Sequence, residues 1–261
     1  GRRTVRAVYA ELRIPILKEI QAQVAARTEH YSDFGTTTSP KFALSYRATD
    51  WLLLRTSYGR SFLAPNLSYL YTSQVTQFSD ASLDDPKRPN DAPRQIESRS
   101  GGNPNLKPEQ STTISGGVVL TPHWVEGLSL SADWYSIELK KAIATISSDV
   151  ITTQCEKGVQ LFCNQVTYIT NGSGTYLQVA TQPINANSQS VSGLDFQADY
   201  TTEFMSGALN LRAIGNYMDQ QSQSAAGITL DYAGAIGSDS SPRGIPKFRT
   251  TLSASYIEGP W

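Results

Sequence analysis

The residues able to do chemistry fall at every second position along extended runs. Arg13, Arg27, Arg47, Arg55, Arg212 and Arg249 share a predicted face with Glu11, Glu29, Asp133, Asp195 and Asp199. Most of them alternate with apolar side chains, as in Leu194-Asp195-Phe196-Gln197-Ala198-Asp199-Tyr200 and Leu209-Asn210-Leu211-Arg212-Ala213. Guanidinium and carboxylate groups so arranged make charged hydrogen bonds and keep a surface wet. They do not make a catalytic set. No Ser/His/Asp pattern and no phosphate-cradling glycine loop is present, and His30 and His123 stand alone, so a surface or interface role suits both. Cys155 and Cys163, the two cysteines, have seven residues between them. They read as a local disulfide worth roughly 2.5 kcal/mol by loop-closure entropy in an oxidising compartment. The other reading is a metal site, but no third or fourth ligand lies near in sequence. Asp80, Asp84 and Asp85 do not follow the spacing of a calcium loop, and a solvated loop is the simpler reading. Asn66-Leu67-Ser68 and Asn171-Gly172-Ser173 match the glycosylation acceptor pattern by chance.

The elements that position these groups are strands. Period-two alternation puts successive side chains on opposite faces of a pleat. It recurs over 3–14, 20–29, 42–47, 51–60, 111–120, 128–134, 194–200, 209–217 and 248–256. Pro15 ends the first run, because proline has no N–H for a ladder. The reading is all-β with about nine or ten strands. One alternating hairpin does not separate a soluble sandwich, apolar inside, from a membrane barrel, apolar outside.

The connections separate them. Those near 15–19, 48–50, 121–127 and 201–207 are short; those near 32–39, 61–107, 142–189 and 219–245 are longer, and the two kinds alternate. In an antiparallel up-and-down transmembrane β-barrel this puts short turns at one rim and long loops at the other, the asymmetry of outer-membrane barrels. Trp51, Trp124 and Trp261 fall at or beside the short turns, with Phe204 in the equivalent place, and read as an interfacial girdle. The 61–107 stretch, rich in Pro, Asp, Asn and Ser, reads as a structureless segment, functional or disordered, while 142–189 has room for short strands around 166–182. Charged residues make up 17% of the 261-residue chain, whose net charge is −1, so nothing points to nucleic acid. No run of 18 apolar residues exists, which excludes a transmembrane helix and leaves barrel strands open. Both ends read as cut, so the chain is expected to be a fragment.

The runs RTSYGRSFLAPN (55–66) and GNPNLKPE (102–109), with SPKFALSYRATDWLLL (39–54), DWYSIELKKAI (133–143), SGLDFQADY (192–200) and PKFRTTLSASY (246–256), resemble the barrel of TonB-dependent outer-membrane receptors. The resemblance covers nearly the whole chain. It implies that residues 1–261 are part of one such barrel domain of 22 strands, with the plug domain and closing strands outside this chain. It implies an outer-membrane location and energised uptake of a scarce nutrient of the iron-siderophore, cobalamin or oligosaccharide class. The implied partners are the bilayer, the ligand, and the TonB complex acting through an N-terminal plug; no cofactor, metal or enzymatic activity is implied. The ionic residues would then line the lumen and contact the plug. Tyr69, Tyr71, Phe78, Tyr168 and Tyr176, in the long loops, are candidates to stack on a ligand ring. A passive outer-membrane pore and a soluble carbohydrate-binding or hydrolytic β-protein remain as alternatives.

Overall fold

A computed structural model describes residues 2–83, 85–87, 94–172, 174–225, 228–235 and 245–258. Its main feature is one long antiparallel sheet. The wall is built from β1 (Val5–Pro15), β2 (Ile20–Tyr31), β3 (Gly35–Thr49), β4 (Leu52–Leu63), β7 (Glu109–Leu120), β8 (Leu128–Ala144), β11 (Ile184–Phe204), β12 (Gly207–Ala225) and β14 (Phe248–Glu258). Each pairs with the next in that order, and a short β13 (Ile228–Asp231) shares the edge of β12 with β14. β1 does not pair with β14, so the barrel wall is open.

Cross-strand register lines the side chains into rows. On one face Val24, Phe42, Tyr58 and Ile114 are successive partners, and so are Trp134, Leu194, Tyr217 and Phe248. No described residue covers this face: Leu12 is 63% exposed, Trp134 46% and Leu252 75%. A sheet that buried these residues against a second layer would hold them almost fully out of solvent, so the sandwich reading fails. On the other face a single row runs Ser45, Arg55, Gly117, Asp133, Asp195, Asn216, Arg249 across seven strands.

The buried core of the described residues lies above the wall. Between β4 and β7 the chain forms α1 (Leu67–Tyr71), β5 (Val75–Leu83) and β6 (Arg94–Ser100); between β8 and β11 it forms α2 (Ser148–Glu156), α3 (Gln160–Cys163), β9 (Val166–Asn171) and β10 (Gly174–Ala180). The two loops share one four-stranded sheet in the order β5-β6-β10-β9, joined by the parallel pair β6–β10. Ile96 from the first loop packs with Ile151, Phe162, Leu177 and Val179 from the second and with Ile184 at the start of β11. This cap is what positions the loop residues.

The connections differ from the sequence reading in three ways. The 61–107 segment is not structureless, since it supplies α1, β5 and β6. The 32–39 segment is mostly strand: Thr36 and Thr38 pair with His30 and Thr28, leaving only 32–34 as a turn. Threonine favours strands, but Thr-Thr-Thr carries no apolar/polar alternation to reveal one. β11 and β12 run well beyond their alternating centres through Ser188–Ser190 and Gln220–Ser224, where both faces are polar.

Candidate functional site

The polar face of the wall is a set of local ion pairs. Arg55, on β4, reaches across β7 to Asp133 on β8, with Nε donating to Oδ1 at 2.7 Å and the second guanidinium nitrogen donating to Oδ2. The strand between them contributes Gly117, whose missing side chain makes the crossing possible: a Cβ there would lie 1.9 Å from Asp133 Oδ1. Asp195 sits beside Asp133 and accepts from Asn216 Nδ2 at 2.7 Å. Arg212 donates from Nε to Asp199 Oδ1 at 2.5 Å, and Gln197 holds the second carboxylate oxygen. Arg27 pairs with Glu29, which also accepts from Tyr31 Oη at 3.0 Å. Arg13 lies 3.7 Å from Glu11. Arg47 and Arg249 make no side-chain hydrogen bond or ion pair among the described residues. All eleven ionic candidates therefore share one face: eight are ion-paired, Asp195 accepts from an amide, and Arg47 and Arg249 have no partner among the described residues.

Two shallow cavities open on that face. One, of about 400 Å³, is lined by Arg13, Gln21, Gln23, Ser45, Arg55 and Asp133. The other, of about 410 Å³, is lined by Arg55, Asp133, Asp195, Asn216 and Arg249. Charged walls of both signs suit hydrated contacts with another polar surface.

The aromatic loop candidates do not form one cluster. Tyr168 lies on the core face of the cap sheet: its hydroxyl donates to Asp85 Oδ1 at 2.6 Å, and Lys87 Nζ stands 4.2 Å from its ring centre. Asp85 is buried by these contacts, while Asp84 lies outside the described residues. Tyr176 and Phe78 occupy the opposite face, with Glu97 between them in the register. Partial desolvation, then a hydrogen bond with Glu97, holds the Tyr176 phenol above its usual range. Tyr69 and Tyr71 sit half-exposed on α1. Cys155 and Cys163 are joined in a disulfide that ties α2 to α3 under the core.

At the opposite rim Trp51 and Trp124 meet edge to face with centroids 5.3 Å apart, His123 meets Trp124 in the same way, and Phe204 meets Tyr256. Trp261 lies outside the described residues.

Alternation also missed a clasp at the base of the cap. Asn103 donates from Nδ2 to the Pro183 carbonyl at 2.8 Å. Asn185 accepts from the Lys107 amide at 2.8 Å and donates to the carbonyls of Lys107 and Lys141. Glu109 accepts from the Ile143 amide at 2.7 Å. Lys141 has a left-handed φ of 58°, held by these bonds where β8 leaves the wall. The signal was the GNPNLKPE run itself, whose amide and carboxylate spacing has no strand period.

The family model for TonB dependent receptor-like β-barrels matches residues 1–261. No curated protein sequence matches the chain. Among solved structures, the siderophore receptor PirA from Acinetobacter baumannii superposes with a TM-score of 0.62 at 13% identity, over 97% of this chain and 31% of its own. A mutant of the ferric enterobactin receptor PfeA from Pseudomonas aeruginosa, in complex with enterobactin, gives 0.61 at 21% identity, over 84% and 27%. The RagAB peptide importer gives 0.55 at 15% identity, over 85% and 22%. The chain thus spans less than a third of each of these structures, and the likeness is one of fold. An open wall of nine paired strands, apolar on one side and ionic on the other, matched along its full length by the family model, places this chain in the TonB-dependent receptor β-barrel family.

Proposed function

We propose that this wall belongs to an outer-membrane receptor that takes up a scarce nutrient by TonB-energised transport. The observation that carries the reading is the uncovered apolar face set back to back with a face of ionic groups. Hydrocarbon suits the first and a wet lumen the second. Arg47 and Arg249, without partners among the described residues, and Asp195, held by a single amide, are the groups left to meet a plug. Arg55, Asp133, Arg212 and Asp199 are already satisfied within the wall. The ligand class is an iron siderophore: PirA and PfeA are siderophore receptors, and the open face of the cap offers Phe78 and Tyr176 beside Glu97. Two structurally similar receptors of that class support the assignment; the peptide importer among the neighbours is the competing class.

The test is accumulation of ferric siderophore by cells carrying the intact protein, with and without a proton gradient. Uptake that stops when the gradient is collapsed supports energised transport. Uptake that continues identifies a passive pore. Uptake of peptides in place of ferric chelates overturns the ligand class alone.

A further inference from the structure

β3 and β4 part company above the apolar belt. Their register ends at Lys41 and Gly59, although β4 runs on to Leu63 and β3 stays paired with β2 up to Gly35. Pro40 is the first residue of β3 past the break, and a proline has no N–H to give across the seam. The opening holds a hollow of about 250 Å³ lined by Thr38, Arg60, Phe62, Gln110, Thr112 and Lys140, with three more polar residues behind them.

Apart from Phe62, whose ring packs on Tyr31 and Phe34 across the seam, these side chains lie on the apolar side of the wall. Arg60 shares the parity of Tyr58, Thr112 that of Ile114, and Lys140 is the cross-strand partner of Gln110. Along that face the lining changes within one step from rings and aliphatic chains to hydroxyls, an amide and cations. Arg60 has no hydrogen bond or ion pair among the described residues. Lys140 lies 3.0 Å from Glu138, but the two side chains are 61% and 46% exposed, so the pair is weak and Lys140 is free to turn. A guanidinium, an ammonium and threonine hydroxyls around one hollow match a phosphate, which takes charge-assisted bonds from both cations.

We propose that this hollow binds the phosphate of an anionic lipid headgroup in the leaflet at the loop-bearing rim. The belt below fixes the depth: chains lie against Tyr58 and Ile114, and the headgroup reaches the hollow directly above them. The proposal rests on the reading of the apolar face as the lipid-facing one. Glu138 at the edge opposes the anion and sets a limit on affinity.

The experiment uses the intact protein in detergent, titrated with a bisphosphorylated glycolipid (lipid A) and with its dephosphorylated form, and read by native mass spectrometry. The phosphorylated lipid is expected to bind, and Arg60→Gln with Lys140→Gln to weaken binding by about tenfold or more. Inorganic phosphate at millimolar concentration is expected not to displace the lipid. Equal binding of the dephosphorylated lipid, an unaffected double variant, or displacement by inorganic phosphate overturns the proposal, the last pointing to a free-anion site. If the variant does not fold, salt decides on the unaltered protein, since screening must weaken a phosphate contact; binding indifferent to salt overturns it. Fractionation is read separately. Protein absent from the outer membrane refutes the membrane reading itself, whereas embedded protein without phosphate dependence refutes this site alone.

Discussion

Replacing Gly117 by alanine tests whether the wall's charge pairs depend on glycine in the strand between them. Neighbouring strands lie about 4.8 Å apart, so Arg55 and Asp133 must meet across about 9.6 Å of sheet. Their side chains do so by lying flat over Gly117. A methyl there would come within 1.9 Å of Asp133 Oδ1 and 2.9 Å of the Ala132 carbonyl. The carboxylate is the movable partner, and it must swing off the guanidinium. The pair is 49% and 27% exposed, so its loss costs about 0.5–1 kcal/mol, the upper part of the exposed range because the contact is bidentate. Alanine also narrows the unfolded ensemble and returns about 0.4–1 kcal/mol where its backbone is compatible. The two effects offset, so the stability of Gly117→Ala alone decides nothing. The coupling does. A double-mutant cycle with Arg55→Gln and Asp133→Asn, read by reversible urea unfolding of the intact protein in detergent or vesicles, is expected to give about 0.5–1 kcal/mol with Gly117 in place and close to zero in the Gly117→Ala background. A coupling of the same size in both backgrounds refutes the reasoning.

Four further outcomes follow from the same geometry. Reducing the Cys155–Cys163 bond is expected to lower the local stability of 148–165 by about 2.5 kcal/mol, seen as faster amide exchange there while β2 and β8 are unchanged. Phe162→Ala, at a side chain with no exposure, is expected to cost the cap about 3–5 kcal/mol and to open β6 as well as α3 to protease, because the two loops share that core. Asp231 accepts from the Ala233 and Gln221 amides, which hold its carboxyl below the usual range. Its contribution is therefore present above the unfolded value of about 4 and lost as pH falls through the lower folded value, so amide exchange of β13 should quicken at acid pH and lose that dependence in Asp231→Asn. Arg249→Gln is expected to reduce energised uptake more than Arg212→Gln, because Arg212 is already spent on Asp199; equal losses would count against Arg249 as a plug contact.

How much of this was legible in the sequence depended on where the chain meets two different solvents. Within the belt, Leu194 to Tyr200 and Leu209 to Tyr217 alternate because one side meets an apolar medium and the other a polar one, and those strands were read correctly. Above it, Ser188–Ser190 and Gln220–Ser224 are polar on both faces, so the same strands continue without a signal. The cap was illegible for a further reason. β6 and β10 are about eighty residues apart and pair in parallel, a contact no local pattern encodes. Of the site, the ionic residues were all placed on one face, since parity fixes a face. Which of them pair was hidden, because Arg55 and Asp133 meet across an intervening strand, 78 residues apart in the chain.

That crossing is one instance of a device used three times among the described residues. Tyr135 passes over Gly193 to take a hydrogen bond from Asn216, and Phe196 covers Gly215 and stacks on Phe248. In each case a long side chain on one strand reaches the next strand but one, and the strand between supplies glycine. A single-layered wall explains why. A soluble core satisfies its large side chains with a second layer, but a barrel wall has solvent or lipid on both sides, so contacts must run along the sheet. Glycine in a strand interior normally weakens it; here it opens a saddle that lets ionic and aromatic groups find partners within their own face. The cost of the missing side chain is thereby offset by a contact two strands wide. A bulky residue at 193 or 215 should disturb partners on both flanking strands, whereas one at Gly116, where a Cβ would meet nothing within 4 Å, should disturb neither.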